Sequence, residues 1–171
     1  NFQQKDIEVG MALDITGSMD RAPAAGGDRK IDSLKAAFET FADRLLPDNG
    51  SSDRNVRIAV APYSSGLNLG NFAATASNGR SKDGCVTESK NASITDAVAA
   101  YAVAQDGVKD TDPTEGNLGK ASYECPNAQV LPLSNDRETL VKAVKKFKAQ
   151  GWTSGHIGTQ WAWNLLSDAW T

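Results

Sequence analysis

Ile7-Glu8-Val9-Gly10-Met11-Ala12-Leu13 runs directly into Asp14-Ile15-Thr16-Gly17-Ser18-Met19, and the two halves of this stretch differ in kind. The first half is apolar-rich, carries Ile and Val, and reads as a buried strand. The second half is a polar loop that sets a carboxylate and two hydroxyls on alternate residues, so that all three can face one way. A Gly/Pro/Ala linker follows over residues 22–27. Ile31, Leu34, Ala37, Phe38, Phe41, Ala42 and Leu45 then recur at helical spacing, and Pro47 with Asn49-Gly50 stops the pattern. Val56 to Pro62 is a second strand whose apolar run is nearly continuous, as expected of a strand covered by helices on both faces. Strand, helix and strand in this order predict parallel pairing, with the Asp14–Ser18 loop at the carboxyl ends where ligands of such sheets bind.

Downstream the pattern loosens. Residues 67–129 are rich in Asn, Gly, Ser, Lys and Asp, with one Ala-rich helical candidate at 94–104, and read as a long, partly irregular insertion. Both cysteines, Cys85 and Cys125, fall inside it and lack metal-ligand spacing, which suggests one disulfide and an oxidising compartment. Val130 to Leu133 reads as a short strand. Asn135 and Glu138 suggest the cap pair of a helix carrying Leu140, Val141, Val144 and Phe147 on one face. Lys142, Lys145, Lys146 and Lys148 lie mainly on the other side and read as a solvated face. Gly151 should close that helix, and another should start near Thr153 or Ser154. There is no internal repeat.

The 171 residues suit one domain. A net charge of −3 gives no reason to expect nucleic-acid or anionic-membrane binding, and no apolar run reaches the length of a membrane span. Because the chain starts at Asn1, a start methionine and any signal or anchor segment are expected to have preceded it.

Asp14, Thr16 and Ser18 offer hard oxygen donors suited to Mg²⁺, Mn²⁺ or Ca²⁺. The plainer alternative is a helix-capping turn, which the intervening linker at 22–27 argues against. Asp14-Ile15-Thr16-Gly17-Ser18-Met19 resembles the Asp-x-Ser/Thr-Gly-Ser-Met opening of the metal-ion-dependent adhesion site of von Willebrand factor A domains. Gly151-Trp152-Thr153 is similar to the segment that supplies that family's isolated threonine. Gly151 to Gly158, Trp161-Ala162-Trp163 and Cys85-Val86-Thr87-Glu88 look like the A domains of TadG-like proteins, which accompany the Flp (tight adherence) pilus machinery.

The resemblance implies a Rossmann-like α/β fold, a mostly parallel sheet flanked by helices, with the 67–129 insertion pinned by Cys85 and Cys125. It also implies the N-terminal portion of a single A domain over 1–171, because the family's last metal Asp and three further strands would lie beyond Thr171. A second polypeptide could then complete the sheet. By the same resemblance, Thr16 and Ser18 would hold a divalent cation, Mg²⁺ first, through their hydroxyls. Asp14 would act mainly through water, and Thr153 would be a switchable ligand. A protein partner would offer an Asp or Glu to the metal. The location would be extracytoplasmic, with the membrane reached only through an N-terminal anchor outside this chain.

Several residues read more simply. Thr153 suits an N-cap, and His156 suits a packed or hydrogen-bonded role, with no nucleophile or His/Cys cluster to make it catalytic. The four tryptophans, all between 152 and 170, suit core or interface packing. Asp106, Asp110, Asp112 and Glu115 fail the EF-hand spacing and read as a solvated loop. The rival reading is a Mg²⁺-dependent phosphohydrolase of haloacid dehalogenase type. It would need an acid two residues after Asp14, where Thr16 stands. A third is a structural envelope domain whose metal site is vestigial.

Overall fold

A computed structural model describes residues 6–46, 56–76, 84–89, 104–106 and 126–166. Strand β1 (Ile7–Asp14) leads through a 3-10 turn at Gly17–Asp20 to helix α1 (Lys30–Leu45) and strand β2 (Val56–Tyr63). Short strand β3 (Leu67–Asn68), helix α2 (Ala73–Ala76), β4 (Cys85–Ser89) and β5 (Ala104–Asp106) follow. The chain then forms β6 (Leu131–Ser134), α3 (Arg137–Lys145) and α4 (Gly155–Asn164).

β1 and β2 pair in parallel over their whole length, Ile7 opposite Val56 through Asp14 opposite Tyr63. β2 is buried on both faces, and its alternation sorts the core into two layers. Val56, Ile58 and Val60 point into a cluster with Ile31, Phe38, Leu140 and Val144 of α1 and α3. Ala59 and Ala61 point the other way, into a cluster with Ile157, Trp161 and Leu165 at α4, Leu67 of β3, Leu69 just after it and Val86 of β4. Small side chains on that face give α4 room to settle close. At Gly10 of β1 a Cβ would stand 2.3 Å from the Ala162 carbonyl oxygen, and at Gly158 of α4 it would stand 2.2 Å from the Tyr63 ring.

Three expectations are corrected. The sheet is not mostly parallel: β6 runs antiparallel to β2, and β3, β4 and β5 form a separate antiparallel sheet. The fold is a mixed α/β arrangement in which β1–β2 is the one parallel strand pair among the described residues, beside an isolated parallel bridge between Asn68 and Gln129. Nor is the described part of the 67–129 segment an irregular insertion, since it forms β3, α2, β4 and β5. The expected Cys85–Cys125 disulfide falls on Cys125, which lies outside the described residues. What holds the described part is the second sheet, with Leu67, Leu69 and Val86 wholly or almost wholly buried. Cys85, expected within the irregular insertion, opens β4 and is 3% exposed. The cap of α3 also moves by one residue. Asp136, not Asn135, accepts the Thr139 amide at 3.0 Å and the Thr139 hydroxyl at 2.6 Å.

The helical candidate at 94–104 falls outside the described residues except for Ala104, which begins β5. The acidic run falls outside them except for Asp106, the last residue of that strand. Among the described residues, no helix is long and apolar enough to cross a membrane.

Two measurements follow from this packing. Gly10→Ala must push α4 off β1, because the clash is with backbone. It should lower stability by about 1–3 kcal/mol in urea unfolding. Gly27→Ala, whose Cβ would meet only the Ala24 carbonyl at an ordinary 3.5 Å, should stay within about 0.5 kcal/mol. The hydrogen bonds from Thr139, side chain first and backbone second, hold the Asp136 carboxyl below its ordinary pKa. Asp136 therefore contributes stability above the unfolded Asp value and loses it as pH falls through the lower folded value. Asp136→Ala should lower the urea midpoint at neutral pH, and the gap should close in acid; a gap that persists there would refute the cap's charged role.

Candidate functional site

Parallel pairing puts the carboxyl ends of β1 and β2 at one edge, and the loops leaving them meet there. The Ile15 amide continues the ladder to the Tyr63 carbonyl at 3.1 Å. A third loop, residues 149–154, closes against them. The Gln150 amide donates to the Ile15 carbonyl at 2.8 Å, the Gly17 amide to the Gly151 carbonyl at 2.9 Å, and the Ser154 amide to the Ser64 carbonyl at 3.0 Å. The Trp152 amide donates to the Ser65 hydroxyl at 3.0 Å. Gly151 makes the fit possible. Its φ of +73° lies in the left-handed region, and a Cβ there would stand 3.0 Å from Ser64 Oγ.

Within this frame Asp14, half-buried, accepts the Thr16 amide on Oδ1 at 2.9 Å. Thr16 Oγ1 and Ser18 Oγ lie 3.1 Å apart. Thr16 is fully buried, and Ser18 is exposed. Thr16 occupies the N-cap of the 3-10 turn, yet its side chain makes no capping bond. The hydroxyl of Thr16 is turned to Ser18 instead, so the capping alternative fails for Thr16. The Tyr63 phenol is pushed up, first by burial and then by the negative charge of Asp14 beside it.

The expected residues thus divide. Asp14, Thr16 and Ser18 stand together. Thr153 is exposed on the loop that Gly151 locks against them, and the N-cap of α4 is Ser154 rather than Thr153. His156 is exposed in the first turn of α4. The tryptophans split: Trp161 is fully buried, whereas Trp152 and Trp163 are 73% and 55% exposed. Trp170 lies outside the described residues.

Sequence reasoning left out Tyr63, Ser64 and Ser65. The signal was present, since Ser64-Ser65-Gly66 directly follows β2 and parallel strands bring such loops to one edge. Among the described residues no group of three or more His, Cys, Asp and Glu side chains gathers to hold a metal. Any cation here would meet one carboxylate and hydroxyl oxygens, a donor set that suits a hard ion which keeps several waters. The chain matches no family model, no curated protein and no solved structure.

Gly151→Ala forces a side chain into the left-handed region and against Ser64. It should cost about 1–2 kcal/mol in urea unfolding. Hydrogen exchange at the amides of Gly17 and Ser154 should speed up, and unchanged protection of both would mean that Gly151 does not lock the loops.

Proposed function

We propose that this chain is a metal-ion-dependent binding module of the von Willebrand factor A type, a non-enzymatic recognition domain. The observation that carries the reading is the pairing of the Thr16 and Ser18 hydroxyls 3.1 Å apart beside Asp14, at the carboxyl edge of the parallel β1–β2 pair. Thr16 and Ser18 would hold a divalent cation, Mg²⁺ before Mn²⁺ or Ca²⁺. Asp14 would act through water or hydrogen bonds, and Thr153 would approach from the locked loop. The bound ion would supply a Lewis-acidic position for an Asp or Glu of a protein partner. The chain's own residues fix the three loops, keep Thr16 away from bulk water and leave Ser18 and Thr153 accessible. The setting that fits the resemblance is an extracytoplasmic domain of a TadG-like bacterial envelope protein serving Flp pilus assembly or tight adherence.

One observation favours a second reading, a structural envelope domain with a vestigial metal site: Asp14 Oδ1 already accepts the Thr16 amide. The phosphohydrolase reading has less to rest on, because the position that needs an acid is the buried Thr16.

Titration calorimetry with Mg²⁺ and Mn²⁺ separates these readings. Binding should weaken by about tenfold or more in Asp14→Ala and in Thr16→Val, a loss of about 1.4 kcal/mol. A cation at Asp14 should also lower the raised Tyr63 phenol toward its ordinary value, read by ultraviolet titration. No metal binding, or equal binding in both variants, would leave the structural reading. Turnover of phosphate esters that depends on Asp14 would select the hydrolase.

A further inference from the structure

Between the start of α1 and the C-terminal end of α3 the surface sinks into a cavity of about 560 Å³. Arg29, Lys35, Lys145, Lys146 and Lys148 line it, with Asp20 as the only carboxylate among the lining residues. With Asp32 and Glu39, which hold Arg29 and Lys145, counted beside Asp20, the five cations still exceed three carboxylates by two, a local excess opposite in sign to the chain's net charge of −3. Two of the five are already matched. Arg29 is held by Asp20 at 2.9 Å and Asp32 at 2.7 Å, and Lys145 by Glu39 at 2.5 Å. Lys146 and Lys148 have no ion pair among the described residues, and Lys35, also without one, lies near enough to Asp32 for its charge to help hold that carboxyl below its ordinary pKa. Lysines at a helix C-terminus offset its dipole, which accounts for Lys145 and Lys146. It does not account for Lys35, in the second turn of α1, or for Lys148, beyond the end of α3, meeting them around one concavity.

We propose that this cavity binds a small multivalent anion of the phosphomonoester or pyrophosphate type. Ammonium groups act as compact point charges that can gather around a tetrahedral polyanion. The Arg29 guanidinium, the group best shaped for a planar carboxylate, is already engaged by Asp20 and Asp32. The volume falls in the range of small-molecule sites and leaves room for more than one phosphate. The anion can come from a soluble ester or from a phosphomonoester lipid headgroup.

The test is calorimetric titration of the intact chain with inorganic pyrophosphate in metal-free buffer. A parallel arm measures sedimentation with phosphatidylcholine vesicles carrying or lacking phosphatidic acid. The Lys146→Glu/Lys148→Glu variant should bind pyrophosphate at least about tenfold more weakly. Lys142→Glu, an exposed lysine of the same helix that does not line the cavity, should match the wild type. Circular dichroism checks that each variant folds. Pyrophosphate binding with this pattern assigns a soluble ligand. Binding only to phosphatidic acid vesicles, with the same pattern, assigns a headgroup. No binding in either arm, or an equal loss in Lys142→Glu, overturns the proposal.

Discussion

The double-sided burial of β2 is the constraint from which the other features follow. Val56, Ile58 and Val60 serve one core layer and Ala59 and Ala61 the other, all 5% exposed or less. A one-residue slip would exchange the large and small faces, placing β-branched chains under α4, where there is room only for alanine and glycine. The register with β1 is therefore specified by packing rather than by hydrogen bonds alone. That register sets Asp14 opposite Tyr63 and brings the carboxyl ends of both strands to a common edge. The candidate site is the continuation of that alignment into three loops.

Ile15 anchors the first loop in the core, and beyond it the geometry of the loops depends on backbone bonds and on where side chains are absent. Four backbone amides, those of Ile15, Gly17, Gln150 and Ser154, tie the segments together. Gly151 and Gly158 let the last loop and the head of α4 press against Ser64 and Tyr63. A site built this way is rigid where it is buried and open where Ser18, Trp152 and Thr153 reach the surface. Surface ion pairs such as Arg137–Asp43 and Lys145–Glu39 join α1 to α3, but exposed pairs of this kind contribute only about 0–1 kcal/mol each. The hydrophobic clusters and the close approach of α4 carry most of the weight.

Legibility followed the length of each element. β1, α1 and β2 each run eight residues or more, long enough for their period to show, and their bounds were legible to within about a residue or two. The second sheet was not legible. Its strands span two, five and three residues, and Leu67, Leu69 and Val86 sit among Asn, Gly and Ser without any repeat. Direction was equally hidden in β6: four apolar-leaning residues fit a parallel or an antiparallel partner alike, and only the path of the intervening chain decides. Asp136 was passed over for Asn135 because the two are equally good caps and adjacent. At the site, the donor trio was readable from alternate spacing, whereas Ser64 and Ser65 form no motif of their own and follow only from the parallel pairing that brings their loop to the same edge.

The sparse charge of the trio bears on what the proposed site would select. With Asp14 as the sole carboxylate and hydroxyls for the rest, a divalent ion would keep a net positive charge of about one. A site of three carboxylates would leave it net negative and would repel a carboxylate partner. Hydroxyl ligation therefore trades metal affinity for anion affinity, and the burial of Thr16 strengthens the trade by lowering the local dielectric. The Asp14 bond to the Thr16 amide fits the same logic, since a carboxylate partly satisfied by backbone donates less charge to an ion and leaves more of it for a partner. On the proposed reading, the hydrogen bond that could be taken as a sign of a vestigial site is also what would keep a bound cation attractive to an acidic side chain.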